Sequence, residues 1–173
     1  MKLIDCEPAR HSAPILGIFN EAIANSTAIY EYAPLKPDYM ERWFEAKVAG
    51  RYPVIGLETP GGELAGFASF GKFRDRPAYK YTVEHSVYVD TRFRGQKLGL
   101  ILLEAVIEAA VRQDYHVMVG GIDASNTASI RLHEKLGFTH CGTVKQTGFK
   151  FGRWLDLAWY QRILATPAAP VDG

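Results

Sequence analysis

The stretch TVEHSVYVDTRFRGQKLGLILL, residues Thr82 to Leu103, decides the fold. Its first eight residues alternate with the period of a β-strand: Val83, His85, Val87 and Val89 face one side, and Thr82, Glu84, Ser86 and Tyr88 the other. A basic turn, Asp90 to Gly95, follows. Leu98, Ile101, Leu102, Ala105, Val106 and Ala109 then recur at i, i+3, i+4 and i+7, predicting an amphipathic helix from about Gln96 to Arg112. A strand that runs through a Gly-containing basic turn into a helix makes an anion site. The first helical turn has N–H groups without intrahelical partners, at the positive end of the dipole. Gly95 and Gly99 remove side chains where a phosphate would approach the backbone, and Arg92, Arg94 and Lys97 add positive charge. The ligand this predicts is a nucleotide-like diphosphate. Neither a Walker-type phosphate loop nor a dinucleotide-binding glycine fingerprint is present in this turn. The alternative is an ordinary capped strand–turn–helix.

Working outward, the chain alternates β and α elements. Lys2 to Cys6 reads as a strand and Pro8 to Ala24 as a helix with Ile15, Ile18, Phe19 and Ile23 inward. An aromatic-rich loop, Asn25 to Leu35, leads to a second helix, Pro37 to Val48. Strands at Pro53 to Leu57 and Leu64 to Phe70 flank the turn Pro60-Gly61-Gly62, a hairpin signal. After the central strand and helix come a strand at His116 to Gly120, a helix capped by Ser125 and ending at Gly137, and closing strands at Phe138 to Thr143 and Phe151 to Trp159. This predicts one domain over residues 1–165 and a flexible Pro/Ala-rich tail over 166–173.

Composition narrows the class. The chain has 173 residues, about one domain's length, and 47% hydrophobic residues, enough for a substantial core. A formal net charge of +1 argues against a nucleic-acid binder, so the basic turn reads as a local site. No apolar run is long enough for a membrane span, and the N-terminus lacks the apolar core of a signal peptide. Cys6 and Cys141 show no metal-ligand spacing, and no metal site is expected. Reduced thiols and a cytoplasmic location follow as the expectation.

A second constellation lies in Ala124 to Phe138, ASNTASIRLHEKLGF. Asn126, Ser129 or Ile130, and His133 share one helix face, so an amide, a hydroxyl and an imidazole face a common space. Ala128, Leu132 and Leu136 form the adjacent stripe suited to the core. The alternative is a capped helix whose partly buried histidine bonds a backbone carbonyl.

Together these segments resemble the GNAT N-acetyltransferase superfamily. Its acetyl-coenzyme A loop reads Gln or Arg, two free positions, Gly, one free position, then Gly or Ala, after a strand ending in Val-x-Val. Here Val87-Tyr88-Val89 ends the strand and Arg94-Gly95-Gln96-Lys97-Leu98-Gly99 is the loop, with Lys97 standing where the family has glycine. The resemblance covers about residues 2 to 164. Within the superfamily the chain is similar to the phosphinothricin and methionine sulfoximine acetyltransferases. That similarity lies in Asn20-Glu21-Ala22-Ile23, Ser26-Thr27-Ala28, Arg74-Asp75-Arg76-Pro77-Ala78-Tyr79, Thr82 to Val89 and Gly148 to Asp156.

The resemblance implies a mixed α/β (α+β) GNAT fold, a central sheet of six or seven strands flanked by about four helices. It implies acetyl-coenzyme A as co-substrate, held by Val87, Tyr88, Val89, the Arg94–Gly99 loop, Asn126 and Ser129. The acceptor would be the α-amine of a small amino-acid analogue, and the enzyme a homodimer, to which Phe149 and Trp154 could contribute. Such chemistry is direct attack of an amine on a thioester. Glu84, set in an apolar strand, is the candidate base. His133 occupies the place of the family's general-acid tyrosine, where an imidazolium could serve. Arg76, with Arg74, suits an acceptor carboxylate or phosphinate, and Tyr79, Tyr30 and Tyr32 could wall the pocket. Two other readings are a peptide or protein N-terminal acetyltransferase and a non-catalytic coenzyme A-binding module.

Overall fold

A computed structural model describes residues 1–172. Its strands are β1 (Lys2–Asp5), β2 (Val54–Glu58), β3 (Leu64–Lys72), β4 (Thr82–Val89), β5 (Val117–Asp123), β6 (Thr139–Lys150) and β7 (Arg153–Ile163). Its α-helices are α1 (Pro8–Asn25), α2 (Pro37–Ala49), α3 (Leu98–Arg112) and α4 (Thr127–Lys135). Short 3-10 turns lie at Pro77–Tyr79 and Thr91–Phe93. The seven strands form one mixed sheet in the order β1-β2-β3-β4-β5-β7-β6. This is the GNAT architecture expected from the sequence. The chain gathers into two compact units, residues 1–71 with 86–106, and 72–85 with the residues from Ile107 on.

In the first unit β1 runs antiparallel to β2, with Lys2 opposite Glu58, and β2 antiparallel to β3, with a bulge at Leu57/Glu58. Helices α1 and α2 bury the predicted stripes. Ile15, Ile18, Phe19, Met40, Phe44, Val54, Leu64 and Phe67 make one apolar cluster. Phe19 meets Tyr39, Trp43, Phe67 and Tyr88 edge-on, with centroids 5.2–6.5 Å apart, the orientation ring quadrupoles favour. Helix α1 stops at Ser26, whose N–H and hydroxyl both donate to the Ala22 carbonyl, at 3.0 and 2.7 Å.

In the second unit β4 pairs in parallel with β5, from Thr82 opposite Val117 to Glu84 opposite Val119. β5 and β6 both flank β7 antiparallel. The last three strands are longer than expected. β5 runs on to Asp123, β6 continues through bulges at His140/Gly142 and Val144/Gly148, and β7 begins at Arg153. The turn between β6 and β7 is Phe151-Gly152, with φ of 52° and 72°. Two successive positive φ values match the hairpin's twist, and the polar, Gly-interrupted sequence of β6 hides its strand character. Of the tail expected over 166–173, the Thr166 hydroxyl donates to the Tyr115 carbonyl at 2.6 Å. The Val171 N–H donates to the Tyr81 hydroxyl at 3.1 Å. Gly173 lies outside the described residues.

Three helix details correct the sequence reading. Helix α3 turns Leu103 and Ala110 inward and leaves Ile101 at 38% exposure, because a strongly apolar helix has no unique stripe. Helix α4 is capped by Asn126, not Ser125. The Asn126 side-chain oxygen accepts the Ser129 N–H at 3.1 Å, the usual bond of a cap to the third helical residue. Ser125 instead gives its N–H and hydroxyl to Asp123, each at 2.8 Å. On α4, Ala128 is exposed and His133 takes the buried position.

Candidate active site

In the first unit, the loop after β4 is built by Asp90. Its carboxylate accepts the Arg92 N–H at 2.9 Å and the Arg92 guanidinium at 2.9–3.2 Å, closing the Thr91–Phe93 turn. Glu63 takes Arg92 from another side at 3.0 Å. Arg92 is thus neutralised by two carboxylates and adds less free positive charge than its sequence position suggests. The guanidinium also holds the Asp90 carboxyl below the usual carboxylate range.

Arg94 is arranged differently. Its Nε donates to the Val89 carbonyl at 3.3 Å and its Nη2 to Glu21 at 2.9 Å. Gly95 follows with φ 78°, and a Cβ built there would meet nothing within 4 Å. Open space beside a left-handed glycine is what a phosphate cradle needs. Lys97 also takes a positive φ, 61°, which explains why the family prefers glycine there. The Lys97 carbonyl accepts the first helical bonds of α3, from Leu100 at 3.0 Å and Ile101 at 3.5 Å. Gln96 and Lys97 are exposed, whereas Leu98 is buried and offers a ligand only its backbone. Of the strand end, Tyr88 spends its ring on Phe19 and Phe67, so it too offers backbone. The anion-binding elements fit an acyl-coenzyme A diphosphate: a backbone cradle, an aimed arginine and a helix N-terminus.

In the second unit, Glu84 is half-buried on β4. Burial pushes its carboxyl above the usual range, and the positive charge of Arg74 pulls the other way. Arg74 lies over the Phe73 ring at 4.4 Å and near the Trp159 ring at 6.0 Å. Arg76, the arginine favoured from the sequence, is exposed and begins the Pro77–Tyr79 turn. Tyr79 meets Phe73 edge-on at 5.6 Å and remains 43% exposed. Tyr30, in the first unit, is 38% exposed. The geometry therefore groups Arg74, Phe73, Tyr79 and Trp159, with the charge of Arg74 felt at Glu84. Trp159 was not legible as a site residue, because its strand ends the chain's last hairpin.

His133 differs most from expectation. It is 4% exposed, and its Nδ1–H donates to the Ser129 carbonyl at 2.7 Å. Its Nε2 lies 3.1 Å from Nε2 of His85, with the rings stacked at 5.0 Å. With His133 neutral and its proton on Nδ1, its Nε2 accepts and His85 Nε2–H donates. His85 Nδ1 is then a bare buried acceptor with no partner among the described residues. Burial, together with neighbouring His133, lowers the His85 imidazole to about 3, and burial lowers His133 as well. Burial thus disfavours the charged form of both rings, which weighs against an imidazolium at His133. Gly120 makes room for them: a Cβ there would sit 2.7 Å from His85 Nε2. Sequence reading missed His85, although its place beside Val83 on the inward face of β4 signalled burial. The described residues contain no group of three or more His, Cys, Asp or Glu that could hold a metal. No helix among them is long and apolar enough to cross a membrane.

The comparisons with known proteins bear on the same segments. The profile of the Acetyltransferase (GNAT) family matches residues 18–138. The chain is 45% identical over 157 residues to an L-methionine sulfoximine/L-methionine sulfone acetyltransferase of Pseudomonas aeruginosa, covering 90% of this chain and 91% of the relative. Among solved structures, yncA of Salmonella typhimurium with its cofactor acetyl-CoA superposes with a TM-score of 0.94. The identity is 43%, over 99% of this chain and 98% of that one. A phosphinothricin acetyltransferase of Sinorhizobium meliloti in complex with AcCoA gives a TM-score of 0.93 at 34% identity, covering 98% and 91%. A strand that leads into a phosphate cradle, a helix capped by asparagine and a profile matching most of the chain lead to one assignment: the protein belongs to the GNAT acetyltransferase family.

Proposed function

We propose that this protein is an acetyl-coenzyme A-dependent N-acetyltransferase acting on the α-amine of small amino-acid analogues such as methionine sulfoximine, methionine sulfone or phosphinothricin. The observation that carries this reading is Glu84, a half-buried carboxylate raised by burial and sensing Arg74, on the strand that leads into the Arg94–Gly99 cradle. An α-amino acid presents an ammonium and an acid group a few ångströms apart. Glu84 suits the first, and Arg74, seconded by Arg76, suits the second. Tyr79, beside Phe73, is proposed as a pocket wall.

The coenzyme supplies an activated acetyl thioester. Arg94, the backbone of Gly95 to Gly99 and the first turn of α3 would hold its diphosphate, with Asn126 and Ser129 of α4 contributing further contacts. Glu84 removes a proton from the acceptor's ammonium, directly or through water, since only the free amine is nucleophilic. The amine then attacks the thioester carbonyl. Charge that builds on the carbonyl oxygen would be met by the backbone N–H of Val87, within the Val87–Val89 strand end. The C–N bond forms, the C–S bond breaks, and coenzyme A leaves as a thiolate that takes up the surplus proton of the attacking nitrogen, directly or through water. A neutral His133, bonded to Ser129 and His85, serves best by holding α4 in place.

The same reading places the enzyme in the cytoplasm, where acetyl-coenzyme A is made and where Cys6 and Cys141 would stay free, as they are here. It also takes the enzyme as a homodimer. Phe149, Phe151 and Trp154, at 46–59% exposure around the β6–β7 turn, are the apolar surface a second copy would cover.

The test is thiol release from acetyl-coenzyme A with each amino-acid analogue and with its decarboxylated amine. Activity is expected on the amino acids, with poor activity on the amines, which leave an arginine unpaired. Glu84→Gln should lower kcat by ~10²–10⁴-fold, the usual worth of a general base, with little change in KM for the coenzyme. In the wild type, kcat/KM should rise with pH on an acid limb centred above the ordinary carboxylate range, because the base form is the deprotonated one. Absence of thiol release with all three analogues would overturn the substrate class. Near-full kcat in Glu84→Gln would make Glu84 structural.

A further inference from the structure

We propose that Glu21 is a positioning residue for Arg94, aiming its guanidinium at the coenzyme diphosphate. The proposal rests on the reading that the Arg94–Gly99 loop holds acetyl-coenzyme A. Two contacts fix Arg94: Nε to the Val89 carbonyl at 3.3 Å and Nη2 to Glu21 Oε2 at 2.9 Å. Nε and Nη2 share one edge of the planar fork. On the other edge, formed by Nη1 and Nη2, the Nη1 group has no partner among the described residues. It is the edge that binds a phosphate through two parallel hydrogen bonds. Glu21 engages Nη2 alone, so Nη1 stays open to a phosphate oxygen.

Glu21 is itself firmly placed. Its neighbours on α1, Ile18, Phe19, Ala22 and Ile23, are 2–6% exposed. The adjacent Asn20 clamps Leu35 with two hydrogen bonds, Nδ2 to the carbonyl at 3.1 Å and the Leu35 N–H to Oδ1 at 2.7 Å. The carboxylate therefore projects from a backbone that cannot drift. The Arg94 side chain, by contrast, is 51% exposed on a glycine-containing loop. Left alone it would sample many rotamers, and ordering them would oppose binding. A surface ion pair of this kind contributes little to stability, so its effect should appear in coenzyme affinity rather than in melting temperature. Arg92 is the contrast within the same loop, because Asp90 and Glu63 hold it on several sides and leave it no comparable open edge.

The experiment is calorimetric titration of coenzyme A into the wild type, Glu21→Gln, Arg94→Ala and the double variant, together with acetyl-transfer kinetics. Glu21→Gln should weaken coenzyme A by about three- to tenfold and raise KM for acetyl-coenzyme A by a similar factor, with kcat changed less than about twofold, since the aimed arginine serves binding. Arg94→Ala should weaken binding at least as much, and the double variant no further, because Glu21 acts only through Arg94. Unchanged or tighter binding in Glu21→Gln, or fully additive losses in the double variant, would overturn the proposal. If Arg94→Ala binds coenzyme A like the wild type, the coenzyme reading of Arg94 fails and the proposal with it. If Arg94→Ala weakens binding and Glu21→Gln does not, only the role of Glu21 falls.

Discussion

The coenzyme loop and the β4–α4 histidine pair handle basic groups in opposite ways. In the loop, Arg92 and Arg94 stay exposed, Arg92 tied up by two carboxylates and Arg94 held by one, at about 3 Å. In the second unit, His85 and His133 are 9% and 4% exposed, and burial disfavours their charged forms. Exposed pairs keep a charge available to a ligand at small cost in stability. A buried pair for which charge is disfavoured becomes packing, with one hydrogen bond across 3.1 Å. The two motifs that looked alike as functional signals thus differ in kind. The loop keeps an arginine exposed, and the histidine of α4 is buried in packing.

The largest effect that would break this contrast is at Gly120. An added methyl would lie 2.7 Å from His85 Nε2 and 3.4 Å from His133 Nε2, where packing cannot give way easily. Gly120→Ala should therefore destabilise the protein by roughly 1–3 kcal/mol, the usual cost of overpacking, read by denaturant titration. Gly95→Asn supplies no such clash and asparagine tolerates the φ of 78° there, so a comparable loss in that variant would show that the two regions are not packed differently.

Acidification is the next. The His85 value falls from an ordinary 6.5 to about 3 on folding. Between those values the unfolded chain binds the extra proton, so the contribution of His85 is complete above pH 6.5 and is lost as pH falls toward 3. Glu84 has the opposite sign: its raised carboxyl contributes below its unfolded value and loses that contribution as pH rises through the folded one. Asp90 also favours stability at higher pH, but it titrates below the usual carboxylate range on an exposed pair and contributes less. Melting temperature should fall from pH 6.5 downward, and His85→Phe should flatten that slope. An unchanged slope would place the acid sensitivity elsewhere.

The smallest expected effect is at Lys97. Its φ of 61° is strained for a side chain with a Cβ, so Lys97→Gly should relieve up to about 1 kcal/mol, partly offset by glycine's greater freedom when unfolded. If the Lys97 ammonium also assists the diphosphate, the same variant should bind coenzyme A less tightly at low salt and indistinguishably at high salt. Thermal melts and binding at two ionic strengths separate these effects.

Much of this protein was determined by sequence alone, because period and punctuation are local properties. The alternation of Thr82 to Val89, the stripe of α3 and the glycines at 61, 62, 95 and 137 each act within a few residues. They suffice for the β/α order, for the anion cradle and for Glu84 as a carboxylate in an apolar strand. What only the tertiary structure decided is where long-range neighbours meet. His85 and His133 are 48 residues apart, Glu21 and Arg94 are 73 apart, and Arg74 meets Trp159 across 85 positions. No local pattern announces such meetings. Each changes what its residue can do: burial disfavours the charged form of His133, a carboxylate pairs with Arg94, and an aromatic bed holds Arg74, whose charge is felt at Glu84. A residue's type and spacing say which chemistry it could perform, while its charge state and direction depend on neighbours that only the fold brings into contact.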